Sequence, residues 1–106
     1  MNEVKLTELV DKNKKYRATF YNNGMQKKTV YFGSGPNKDY TIYYREKGKV
    51  FANERKRLYI IRHKKRENWL DYSSAGALSK YILWNKPTRQ ESINHYLKRF
   101  KLKLVK

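Results

Sequence analysis

Lys15 to Phe32, KYRATFYNNGMQKKTVYF, decides the fold class. Tyr16, Ala18 and Phe20 alternate with Arg17, Thr19 and Tyr21, the period-two pattern of a half-buried strand. Asn22-Asn23-Gly24 follows, and Asn and Gly tolerate the positive φ that tight hairpin turns require. Gln26 to Phe32 then returns as a second strand, with Thr29 and Tyr31 alternating against Val30 and Phe32. The stretch therefore reads as a β-hairpin over about 15–32.

Sheet and loop signals extend outward from this hairpin. Met1 to Val10 reads as a strand through Val4 and Leu6, although Leu6, Leu9 and Val10 also suit a helical face. Asp11 to Lys15 is a polar, basic link. Gly33 to Lys38, GSGPNK, is a loop whose backbone N–H groups invite a phosphate-cradle reading. Its spacing matches neither the P-loop nor the dinucleotide fingerprint, so a sharp exit from the strand is preferred. Asp39 to Tyr44, DYTIYY, is expected to be extended or an aromatic turn. Its tyrosines could stack bases, but rings covering a small sheet are the preferred reading. Arg45 to Lys49 reads as a polar loop around Gly48, and the closing KLKLVK alternates like an edge strand.

Three helical segments remain. Phe51 to about Glu67 is the long one, with Phe51, Leu58 and Ile61 as its buried stripe beside Tyr59. Ile60 falls on nearly the opposite face, free for a second contact or a partner. Asp71 to Ser74 is a turn in which Ser73 or Ser74 caps a short helix, Ala75 to Trp84. That helix sets Leu78, Tyr81 and Ile82 on one face, with Gly76 and Ala77 suited to close packing. After Asn85-Lys86-Pro87, Thr88 to Glu91 forms a capping box. The last helix carries Ile93, Tyr96, Leu97 and Phe100 on its core face. The expected fold is a single α+β domain, residues 1–106. It has a small antiparallel sheet built on the hairpin, terminal segments added, packed by three helices. The expected core is Tyr16 or Phe20, Val30, Phe32, Leu58, Ile61, Trp69, Leu78, Ile82, Trp84, Ile93, Leu97 and Phe100, with both Trp residues as anchors.

Charge bears on partners. Lys plus Arg number 26 against 9 Asp plus Glu, a net charge of +17. Self-repulsion of that size destabilises a compact state unless a polyanion screens it. Nucleic acid, acidic protein and anionic lipid are the matching partners. The chain has no Cys, which excludes a disulfide framework, a zinc finger of the cysteine type and a Cys nucleophile. No apolar run approaches a membrane span, and the N-terminal stretch, with Glu3 and Glu8, lacks an apolar signal region. Seven basic residues, Arg55, Lys56, Arg57, Arg62, Lys64, Lys65 and Arg66, fall within twelve positions of the long helix. They are the candidate phosphate contacts, with Arg89, Lys98 and Arg99 as a second patch.

No catalytic constellation is legible, and neither a metal site nor a cofactor is expected. His63 and Glu67 stand i, i+4, where they could share a metal or pass a proton, although such a pair is more often a surface ion pair. His95 stands alone among polar residues, and Asp39 and Asp71 have no partner carboxylate nearby in sequence.

Three pieces together, FGSG…DYTIYY, RKRLYIIRHKKRENW and SAGALSKYILWNKPTRQESINHYLKRF, carry a family likeness. The chain resembles a small uncharacterised family of basic proteins from nucleocytoplasmic large DNA viruses, including those of algae and amoebae. The likeness runs from about Tyr16 to Phe100. Its most specific part is the Arg62-His63 to Trp69 spacing, followed by Ala75-Gly76, Leu83 to Thr88 and Arg99-Phe100. Arg45 to Phe51 departs from the pattern as an insertion. The resemblance brings no catalytic residues. It implies a viral setting: the virion, or the host cytoplasm and viral factory during infection. The expectation is a non-enzymatic protein that binds DNA without sequence specificity, in the virion core or replication factory. The alternative is a minor capsid or assembly protein contacting acidic capsid partners or the inner membrane, which exposed Ile60, Tyr43 or Tyr44 would support. A nuclease built on His63 and Glu67 would need that pair to line a cleft with a third polar group.

Overall fold

The computed structural model describes residues 2–10 and 13–106, so Met1 and part of the Asp11 to Lys15 link lie outside the described residues. Four strands form one sheet: β1 (Asn2–Glu8), β2 (Lys14–Asn22), β3 (Met25–Ser34) and β4 (Lys103–Val105), in the order β3-β2-β1-β4. The hairpin forms where the sequence places it. Asn23 and Gly24 both take positive φ, 53° and 78°, which closes its turn. β1 pairs antiparallel with β2, Val4 opposite Phe20 and Leu6 opposite Ala18. The terminal strand differs from expectation in direction. β4 runs parallel to β1, so the sheet is mixed rather than antiparallel. The chain reaches that edge through the last helix, and Lys101, in the left-handed region at φ 55°, turns it into the strand.

Four helical segments pack around the sheet: α1 (Tyr40–Lys47), α2 (Lys49–His63), α3 (Ala75–Leu78) and α4 (Arg89–Phe100). α3 runs on into a wide π-turn, Ser79–Leu83, closed by Trp84 N–H donating to the Ser79 carbonyl at 3.1 Å. The α+β class is as expected. One sheet face carries Val4, Ala18, Phe20 and Phe32 against Ala77, Leu78, Tyr81, Ile82, Leu83 and Tyr96, the central apolar cluster. Tyr16, Val30, Trp69, Trp84, Ile93, Leu97 and Phe100, expected to be largely buried, pack half-buried around it. Ser74 caps α3, its hydroxyl accepting from Ala77 N–H at 3.0 Å. Thr88 caps α4, its hydroxyl accepting from Glu91 N–H at 3.2 Å. Glu91 completes that cap differently from a standard box, its carboxylate accepting the Thr88 hydroxyl at 2.8 Å.

Three expectations fail around the long helix. Asp39 to Tyr44 is neither extended nor a turn but opens α1. The Asp39 carboxylate accepts from Ile42 N–H at 3.3 Å, and this cap overrides the β-preference of the tyrosines. The presumed Arg45 to Lys49 loop shrinks to Gly48, whose φ of 89° separates α1 from α2. α2 also presents a different face. Ala52 and Tyr59 are buried, Leu58 is half-buried, and Ile61 (55 %) and Phe51 (44 %) are exposed. Aromatic stacking sets this rotation, because Tyr59 lies flat on Trp84, centroids 4.6 Å apart.

Gly33 shows how tightly the end of β3 is held. Its φ is 83°, and a Cβ there would stand 2.8 Å from Leu83 Cδ1 and 3.0 Å from Lys15 Cβ. Gly33→Ala is expected to destabilise the fold by roughly 2–4 kcal/mol, from left-handed strain plus overpacking. A urea midpoint equal to that of the parent would contradict this.

Candidate anion-binding surface and cleft

The helical turn of 100° per residue spreads Arg55, Lys56, Arg57 and Arg62 around α2, while Lys64, Lys65 and Arg66 follow it in the turn beyond His63. Arg62, Lys64, Lys65 and Arg66 are exposed and, among the described residues, make no ion pair. Arg57 is exposed but pairs with Glu54. Lys56 turns inward, donating to the Asn85 carbonyl at 3.0 Å and lying over the Tyr40 ring. Desolvation, then Lys86 and Lys80, lowers its pKa. Arg55 is half-buried over the Tyr43 ring. Within the second patch, Lys98 and Arg99 are exposed, Arg99 donating to the Tyr81 hydroxyl at 3.4 Å.

Arg89 leaves that patch. Its guanidinium lies 3.1 Å from the Asp39 carboxylate and donates to the Ile82 carbonyl at 3.0 Å. Asp39, 1 % exposed, also holds Lys15 at 2.6 Å. One buried carboxylate thus ties β2, the start of α1 and the start of α4 together. Arg89 fixes the fold because buried charge is tolerated only when paired.

Beside this hub lies a cleft of about 460 Å³. The end of β3 and the following loop supply Gly33, Ser34 and Lys38; α2 supplies Arg55, Tyr59, Arg62 and His63; the π-turn side supplies Ser79, Leu83 and Trp84. The GSGPNK loop, read above as a strand exit, therefore also forms one wall. His63, Tyr59 and Trp84 stack in a ladder, His63 to Tyr59 at 4.3 Å. Glu67 orients the imidazole: His63 Nδ1–H donates to its carboxylate at 2.7 Å, and Trp69 Nε1–H donates to the other oxygen at 3.1 Å. The His63–Glu67 pair therefore lines the cleft. Two donors on its wall, the Tyr59 hydroxyl and Arg55 Nε, are buried with no hydrogen-bond partner among the described residues. An unsatisfied buried donor costs about 1–3 kcal/mol. Burial, reinforced by the Glu67 charge, pushes the Tyr59 pKa far above its ordinary value, so the hydroxyl stays protonated and able to donate.

Sequence reasoning missed Asp39 and the cleft. A cap signal, Asp39 three residues before Ile42, was present for the first. For the second, no local signal exists, because the lining comes from segments as far apart as Lys14 and Trp84. Among the described residues, no group of three or more His, Asp or Glu side chains could hold a metal ion.

His95 carries a pH expectation. Asn85 Nδ2–H donates to its Nδ1 at 2.6 Å, an arrangement for neutral imidazole. Desolvation, then Lys86, Arg99, Lys80 and Lys56, lowers its pKa in the fold. The unfolded chain therefore binds the proton first, and stability falls as pH drops through about 6.5. Denaturation midpoints are expected to decline between pH 7 and pH 5, with a shallower decline in His95→Gln. Equal slopes would contradict this role.

A mixed four-stranded sheet covered by helices, with a cation-lined cleft at one end, defines a small basic α+β protein. A model described as a family of unknown function (DUF5754) matches residues 4–43, which span β1 to β3 and the start of α1. That match ends at Tyr43, before the stretch from Arg62 to Phe100. No curated protein and no solved structure matches the chain significantly. Among the described residues, no helix is long and apolar enough to cross a membrane.

Proposed function

We propose that this chain binds nucleic acid through phosphate contacts, without reading sequence and without catalysis, in the particle or replication factory of a large DNA virus. One observation carries the binding claim: Arg62, Lys64, Lys65 and Arg66 crowd the end of α2, exposed and without ion pairs among the described residues. Cations in a last turn complement the helix dipole, but that role is filled by one or two. Four uncompensated side chains on a chain of net charge +17 repel one another, and a polyanion relieves the repulsion. The viral setting rests on the sequence resemblance alone.

The minor-capsid reading counted on exposed Ile60, Tyr43 or Tyr44, and all three are half-buried. Val50, Phe51 and Ile61 are exposed on α2 instead, but Glu54 and Arg57 interrupt them. The nuclease reading gains a cleft but lacks a free carboxylate there. Glu67 is held by His63 and Trp69, and Asp39 by Lys15 and Arg89.

The test is fluorescence anisotropy with two duplexes of unrelated sequence, using polyglutamate as competitor. Equal affinity for the duplexes, intact DNA after incubation with Mg²⁺, and poor competition by polyglutamate are expected. Competition by polyglutamate at equal charge concentration would move the assignment to an acidic protein partner.

A further inference from the structure

We infer that the cleft between the loop after β3, α2 and the π-turn is a binding site for a phosphorylated small molecule of mononucleotide size. This inference differs from the nucleic-acid reading in concerning the half-open cleft, which shares only Arg62 with the exposed cations at the end of α2.

Charge inside the cleft favours an anion. Lys14, Lys15, Lys38, Arg55 and Arg62 face two carboxylates, Asp39 and Glu67. Asp39 is neutralised by Lys15 and Arg89, Glu67 is held by His63 and Trp69, and Lys38 pairs with Glu46. Among the described residues, Lys14, Arg55 and Arg62 make no ion pair. Guanidinium groups suit phosphate because their donors match its oxygens in pairs.

Unused hydrogen-bonding capacity gives a second and independent indication. Tyr59 is 4 % exposed, and among the described residues neither its hydroxyl nor Arg55 Nε has a hydrogen-bond partner. Native proteins rarely leave such donors unmatched; both atoms are closed to a water-sized probe, so a small shift of the wall on binding is what would let an acceptor in the cleft match them.

Size and wall chemistry then select the class. About 460 Å³ lies within the range of small-ligand pockets and exceeds what a bare phosphate fills. Tyr31, half exposed, offers a ring face to which a base or similar planar group stacks, and the His63–Tyr59–Trp84 ladder borders the cleft with its own faces engaged. A π-turn supplies part of the wall, a distortion of helical geometry often found at functional sites.

Isothermal titration calorimetry with adenosine 5′-monophosphate, adenosine and inorganic phosphate tests the assignment on the full chain. Saturable 1:1 binding of the monophosphate is expected, with adenosine and inorganic phosphate each at least about tenfold weaker. Arg62→Gln, an exposed position that leaves the core untouched, should weaken the monophosphate about tenfold. Tyr59→Phe, which removes only the hydroxyl, should weaken it about three- to tenfold. A Lys64→Ala, Lys65→Ala, Arg66→Ala variant should retain monophosphate binding while losing affinity for duplex DNA. Absence of saturable binding, equal binding of adenosine, or the same loss in the triple variant as in Arg62→Gln would overturn the inference, the last by reducing it to general surface charge.

Discussion

Asp39→Ala is expected to destabilise the fold by about 3–5 kcal/mol, the cost of removing one partner from a buried charge pair. The substitution strands two cations at once. Lys15, 2.6 Å away, and Arg89, 3.1 Å away, would keep their charge in a partly desolvated place with no carboxylate to meet it. It also removes the cap of α1, because the same carboxylate accepts from Ile42 N–H. Asp39→Asn keeps a capping oxygen but not the charge, so it should recover only a small part of the loss. Urea denaturation of the three proteins measures this directly. A loss under about 1 kcal/mol for Asp39→Ala would mean that the pairs behave as exposed surface salt bridges and tie nothing together.

The second large effect concerns affinity. Replacing Arg62, Lys64, Lys65 and Arg66 with Ala is expected to weaken duplex binding about a hundredfold or more at low salt, with stability little changed. All four are exposed and make no ion pair among the described residues, so their removal breaks no described ion pair. Each phosphate contact contributes roughly one unit to the slope of log affinity against log salt, so the variant should lose about three to four units of slope. Arg57→Ala and Arg89→Ala give the contrast. Arg57 is already paired with Glu54, and Arg89 is committed to Asp39, so the first should change affinity little and the second should lower stability instead.

The sequence was readable where one residue pattern had one physical outcome. Asn23-Gly24 between alternating strands left the hairpin no competing structure, and the turn has the positive φ values such a dipeptide accepts. Thr88 and Ser74 cap their helices as hydroxyl-bearing residues before apolar runs do. It misled where two signals competed. Tyr40, Tyr43 and Tyr44 favour strands, yet the Asp39 cap and packing of Tyr43 on Phe51 settle the segment as helix. On α2, the aliphatic stripe through Ile61 was legible, but Tyr59 buries more area by stacking between His63 and Trp84 and turns the helix accordingly. The direction of β4 depended on where α4 delivers the chain, which no local pattern encodes. The basic residues were visible as a cluster, but not their separation into exposed side chains, an inward Lys56 and an Arg89 bound to Asp39. The cleft was invisible for the same reason: its walls come from β3, α2 and the π-turn, and only the folded chain sets Arg55, Tyr59 and Gly33 side by side.

The central claim is that the end of α2 contacts phosphates. The measurement that bears on it most directly is a salt titration of random-duplex binding by the parent and by the Arg62, Lys64, Lys65 and Arg66 quadruple Ala variant. A steep, linear fall of log affinity with log salt in the parent, made shallower by about three to four units in the variant, is the predicted result. Parallel lines for the two proteins, or affinity indifferent to salt, would contradict it.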